Sequence, residues 1–215
     1  MSEIEYRILL LGKGGVGKEI ILKTLFGKEY DKTQVATIGV TRNNLKLNID
    51  IDKNGIKEKQ NFNVYLFDTA GQERFPTITD CLLCKLDGII MVYNIHNLES
   101  FSRIEEWIEN IRESIKLNDK AKCDIFIIGN KFDLKEGEAK EIAVAEEAAI
   151  KVCKKYEIIW GGEHNLKDMD INQLTELIEG FVKEIYKNVG ENSKTKEKKK
   201  RKKKKKEKEK KCICY

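Results

Sequence analysis

Nowhere in these 215 residues does an apolar run approach the roughly 18 residues that a membrane-crossing helix requires. The opening MSEIEYRILLLGKGG reaches its glycines too soon for a secretory leader, so a cytosolic body is expected. A disulfide framework is missing as well. Of the six cysteines, Cys81, Cys84, Cys123 and Cys153 fall in stretches that read as ordered, and Cys212 and Cys214 sit at the far end. Cys81 and Cys84 form a C-x-x-C, but no second Cys or His pair lies at zinc-finger spacing, which favours helix packing over metal or redox chemistry.

A basic body is lacking too, although the net charge is +5. Residues 194–211 hold 14 Lys/Arg and 3 Glu, which leaves 27 basic against 33 acidic residues elsewhere. Nucleic-acid binding by the body is therefore not expected. What is present is enough for one ordinary domain and a tail, with 40% hydrophobic and 36% charged residues.

Short apolar runs alternate with amphipathic stretches, the pattern of strands joined by crossover helices in a mostly parallel, doubly wound sheet. Strands are expected at Ile4–Leu11, Val40–Ile51, Phe62–Phe67, Gly88–Tyr93, Asp124–Gly129 and Tyr156–Trp160. Helical patterns run over Lys18–Phe26, Ser100–Ile115, Glu138–Lys155 and Asp170–Lys187, giving six strands and about five helices. Asn54-Gly55 is a turn signal inside a long, lysine-rich link between the second and third strands. Residues 1–188 are expected to form the folded domain. After Val189 apolar residues vanish until the last four positions, so 189–215 cannot bury enough surface to offset the entropy of ordering and should be a disordered tail.

Gly12-Lys13-Gly14-Gly15-Val16-Gly17-Lys18 follows an apolar strand and opens a helix, the context a phosphate-binding loop needs. Glycines let backbone N–H groups turn inward around phosphates, the helix N-terminus adds positive potential, and Lys18 places a point charge on the β and γ oxygens. The motif then calls for Ser or Thr, whose hydroxyl binds Mg²⁺, and the chain has Glu19 instead. Three readings stay open. Glu19 ligates Mg²⁺ directly, or turns away and favours the first helical turn, or repels the phosphates at a cost of order kilocalories.

Two further motifs narrow the ligand. Asp68-Thr-Ala-Gly71-Gln72-Glu73 closes an apolar strand, where an Asp can hold a Mg²⁺ shell and a glycine amide can meet a γ-phosphate. Asn130-Lys131-Phe-Asp133 closes another, and its Asp can accept two hydrogen bonds from a guanine edge, a pairing adenine does not offer. In the order GKGGVGK, TIGV, DTAGQERF, NKFD, these motifs resemble those of the Ras superfamily of small GTPases. TIGV, AGQERFPTIT and MVYNI resemble the Rab branch, and the likeness covers roughly residues 4–188.

The resemblance implies a P-loop NTPase fold, GTP and GDP as ligands, Mg²⁺ as cofactor, and slow hydrolysis of GTP. It implies that Thr37 senses γ-phosphate and Mg²⁺, that Tyr30 packs on the guanine, that Asp68 serves the metal shell, and that Gln72, beside Gly71, orients the attacking water. Exchange factors, GTPase-activating proteins and effectors are the implied partners of a monomeric switch whose loops order and disorder with the γ-phosphate. Two departures lie beyond Glu19. One is the link between the second and third strands, several residues longer than usual for the family and read as a surface insertion with no assigned role. Where the family carries a Ser-Ala-Lys element backing the base, this chain has Trp160-Gly-Gly-Glu163-His164, so that contact does not transfer, and His164 is read as a loop residue rather than a catalyst.

The lysine run has three readings: nucleic-acid or nuclear targeting, attraction to anionic lipid, and plain solvation. Cys212-Ile-Cys214-Tyr215 favours the second, because paired terminal cysteines resemble the prenyl acceptors of Rab proteins and the four residues have the shape of a C-a-a-X box. A lipid chain beside a polybasic segment, or two chains, anchors stably. The expectation is thus a GTPase on the cytoplasmic face of an intracellular membrane, with a cytosolic pool bound by prenyl-binding escort proteins of the GDI type. The alternative is a pseudo-GTPase scaffold in which Glu19 impairs Mg²⁺-dependent cycling.

Overall fold

A computed structural model describes residues 3–27, 41–53, 55–68, 85–117, 123–131 and 143–189. Six strands form one sheet: β1 (Ile4–Leu11), β2 (Thr41–Lys53), β3 (Ile56–Asp68), β4 (Gly88–Asn94), β5 (Asp124–Asn130) and β6 (Ile159–His164). Their order is β2-β3-β1-β4-β5-β6, with β2 antiparallel to β3 and every other pairing parallel. The expected α/β fold with a mostly parallel six-stranded sheet is present. Four helices lie among the described residues, against the five or so anticipated: α1 (Lys18–Phe26), α2 (Leu98–Leu117), α3 (Glu146–Tyr156) and α4 over 171–189.

The strands follow from their burial. Between their polar ends, GIIMVYN of β4 and DIFIIGN of β5 are continuous apolar runs because both faces are covered, as central parallel strands require. The helices follow from spacing. In α2, Ile104, Trp107, Ile108 and Ile111 recur on one face, and Ala149, Val152, Cys153 and Tyr156 do so in α3. These faces pack with Leu9, Leu11, Ile89, Met91, Tyr93, Ile125 and Ile127 into one core. Asn97 caps α2, its Oδ1 accepting the Ser100 N–H at 3.0 Å. At α4 a reciprocal capping box forms: Asp170 Oδ1 accepts the Gln173 N–H at 2.8 Å, and Gln173 Oε1 accepts the Asp170 N–H at 3.0 Å.

Three sequence expectations need correction. The lysine-rich link is strand, because β2 and β3 stay in register rung by rung to Lys53↔Ile56, and Gly55 has the positive φ of a turn residue at 85°. Leu47, Ile49 and Ile51 are buried on one face, while Asp50 and Asp52 stand opposite Lys59 and Lys57 on the other. Tyr156 ends a helix and does not begin a strand: α3 continues to it and stops at Glu157, whose left-handed φ of 49° presents its N–H to the last carbonyls. His164 is the last residue of β6, not a loop residue.

The chain divides into two compact units, 1–179 and 180–215. Of the second, the described part is the helical stretch 180–189. Among the described residues no helix is long and apolar enough to cross a membrane.

Candidate nucleotide site

The C-terminal ends of β1, β4, β5 and β6 line up along one edge of the sheet, the place where open α/β sheets bind ligands. Gly12–Gly17 leaves β1 there and enters α1, whose N-cap residue, Gly17, makes no side-chain capping bond. The loop thus meets α1 at its N-terminus, whose positive potential favours an anionic ligand. Lys18 is 5% exposed, and its ammonium donates to the carbonyls of Gly12 at 2.5 Å and Lys13 at 3.0 Å. The loop therefore encloses a buried cation, which suits a polyphosphate.

Asn130 holds this loop from below. It is 1% exposed; its Nδ2 donates to the Val16 carbonyl at 2.8 Å, and its Oδ1 accepts the Leu166 N–H at 3.2 Å. One side chain thus ties the glycine loop, the end of β5 and the segment after β6 together. A Cβ on Gly17 would run into Asn130 Nδ2, so the close approach requires glycine at that position. Next to it, the Lys131 N–H donates to the His164 carbonyl at 2.8 Å, and Lys131 Nζ lies 3.4 Å from Glu163 Oε2. These contacts join residues far apart in the chain, and spacing alone gave no sign of them.

Asp68 ends β3 and is 2% exposed, in register with Leu10 of β1. The Glu19 side chain is exposed in the first turn of α1. Lys13 turns from the loop to pair with Glu99 at the start of α2, and this hydrogen-bonded ion pair lowers the Glu99 carboxyl below the ordinary range. Among the described residues no cluster of three or more His, Cys, Asp or Glu is arranged to hold a metal. Tyr30, Thr37, Gly71, Gln72, Asp133, Cys212 and Cys214 lie outside the described residues, as do Cys81 and Cys84. Cys123 and Cys153 are buried free thiols.

A doubly wound sheet with a lysine-bearing glycine loop between its first strand and first helix defines a nucleotide-binding α/β domain. Residues 7–187 match the family model described as Ras family. The chain is similar to the Ras-related protein Rab-13 of Canis lupus familiaris, at 34% identity over 154 residues, 71% of this chain and 68% of that protein. It is similar to the GTP-binding protein YPTM1 of Zea mays, at 33% over 154 residues, with 70% and 68% covered. A third relative is Rab-8A of Rattus norvegicus, at 34% over 154 residues, with 71% and 66% covered. The chain belongs to the Ras family and is a small GTPase of the kind most like Rab. Members of this family bind guanine nucleotide, normally with Mg²⁺, and act as switches read by regulators and effectors.

Proposed function

We propose that residues 1–188 bind GTP and GDP at the sheet edge just described, that they hydrolyse GTP slowly, and that the loaded form recruits effectors in membrane trafficking. The observation that carries the reading is Asn130, which links the phosphate loop at Val16 to the base-reading Asn130-Lys131-Phe-Asp133 segment through one buried side chain. Lys18 and the loop residues Gly12, Lys13, Gly14, Gly15, Val16 and Gly17 would hold the phosphates, and Asn130, Lys131 and Asp133 the guanine. Tyr30 would pack on the base. Thr37 and Gly71 would meet the γ-phosphate, and Gln72 would orient the water.

The cation, when bound, would neutralise charge between the β- and γ-phosphates. Asp68, buried at the end of β3, and Thr37 are the residues suited to its shell. Glu19 has no hydroxyl to offer, but Mg²⁺ accepts one or two carboxylates beside phosphates, so a carboxylate in the first turn of α1 is chemically compatible with it. The 189–215 tail would hold the protein at an anionic cytoplasmic membrane face through lipid on Cys212 and Cys214, with GDI-type escorts carrying it in the cytosol.

Titration of the nucleotide-free protein with GDP, GTP and ATP, with and without Mg²⁺, tests the nucleotide reading. Guanine nucleotides should bind and ATP should not. If the protein holds neither GDP nor GTP while Glu19→Ser restores Mg²⁺-dependent binding, the switch reading gives way to a pseudo-GTPase scaffold.

A further inference from the structure

Strand β6 departs from a regular ladder at one place. Ile127 of β5 pairs with Trp160, yet Gly129 pairs with Glu163, so two steps on β5 span three on β6. The extra residue is taken up at Gly161-Gly162, where Gly162 has φ 90°. This β-bulge reverses the side-chain alternation. In an unbroken strand, residues three apart point to opposite faces. Here Trp160 stacks on Tyr93 with ring centroids 6.4 Å apart, and Glu163 lies over Gly129 beside the same tyrosine. A Cβ added to Gly129 would meet Tyr93 Oη at 2.9 Å and Glu163 Cγ at 3.0 Å.

The bulge therefore puts a carboxylate where regular alternation would have turned it away. Its side chain is 10% exposed, its Oε2 is 3.4 Å from Lys131 Nζ, and its Oε1 is buried without a hydrogen-bond partner among the described residues. Burying a carboxylate costs several kcal/mol unless a partner offsets it. The only ion pair found for Glu163 among the described residues is with the lysine of the base-reading motif. Burial raises the Tyr93 phenol well above its ordinary range, and the Glu163 charge adds to this; the residue beside the carboxylate thus stays protonated.

We propose that Glu163 is the positioning residue for Lys131: the Gly161-Gly162 bulge delivers its carboxylate to the Lys131 ammonium and so fixes that side chain at the nucleobase position. The inference rests on the guanine-site reading above. It gives a role to Trp160-Gly-Gly-Glu163-His164, the segment that has no Ser-Ala-Lys element. A lysine held by a buried anion on a rigid strand arrives at the base with less side-chain entropy to lose than a free one.

The test is a double-mutant cycle on GDP affinity. Glu163→Gln, close in size and uncharged, is measured in the wild-type and in the Lys131→Met background, with thermal melting as the folding control. Glu163→Gln should weaken GDP binding about three- to fivefold, the scale of a partly exposed ion pair, and should have no effect when Lys131 is already Met. An equal loss in both backgrounds overturns the proposal, because Glu163 then acts on something other than Lys131. Unchanged affinity in Glu163→Gln overturns it as well, even if melting shifts. If the wild-type protein binds no guanine nucleotide at all, the base-site reading itself fails and the proposal falls with it; wild-type binding separates the two kinds of failure.

Discussion

Replacing Asn130 with alanine should loosen the phosphate loop and the end of the sheet together. The side chain makes two buried hydrogen bonds, 2.8 Å to the Val16 carbonyl and 3.2 Å from the Leu166 N–H. Alanine removes both and leaves an acceptor and a donor in a region from which water is excluded. A buried group left unsatisfied costs about 1–3 kcal/mol, so the pair should cost about 2–4 kcal/mol, less where either group relaxes toward solvent. In a body of this size about 1 kcal/mol moves the midpoint by roughly 2–4 °C, which puts the expected drop near 5–15 °C. The assay is thermal unfolding followed by circular dichroism on nucleotide-free protein, since bound nucleotide would add its own stabilisation. GDP titration of the same samples should show about tenfold weaker binding, because the loop is no longer held in its binding form. A nucleotide-free midpoint within about 2 °C of wild type would show that this clamp does not contribute as argued.

Cys153 gives a prediction in pH. Burial pushes its thiol from the ordinary 9 up to about 11. Between those values the unfolded chain releases the proton and the folded chain keeps it, so the folded state binds more protons and stability falls as pH rises. The contribution is fully present below pH 9 and lost by about pH 11, and urea unfolding should show Cys153→Val with a shallower decline over that interval; parallel curves would contradict it. For the tail, changing Cys212 and Cys214 together to Ser should move the protein from the membrane to the cytosolic fraction of its native cell. Unaltered fractionation would sink the lipid assignment.

Burial on both faces made the centre of the sheet legible in the sequence. The runs GIIMVY and DIFIIG have no polar alternation to confuse them, and both strands end within one residue of expectation. The outer elements were harder for identifiable reasons. The ends of β2 and β3 carry Asp and Lys on an exposed face, so their composition resembles a loop although Leu47, Ile49 and Ile51 keep the two-residue period. β6 contains two glycines and a bulge, which erase any period. α3 ends without a glycine, on a strained Glu157, and so ran on invisibly into what looked like the start of a strand. At the site, chemistry was legible and geometry was not. Lys18 and Asn130 announce themselves by motif, but nothing local to Asn130 names Val16 and Leu166 as its partners, and nothing local to Glu163 names Lys131.

The long hairpin has a consequence in time. Sheet formation elsewhere must first bring distant segments together, as Ile4 meets Phe62 and Ile8 meets Gly88, and each such closure loses chain entropy before any contact repays it. β2 and β3 need only close the turn between Lys53 and Ile56 and then zip toward Thr41 and Asp68. A hairpin of this kind forms on a scale of about 1–10 μs, well ahead of parallel pairing. The residues that lengthen it therefore offer the newly made chain an early, locally closed template against which β1 can later align.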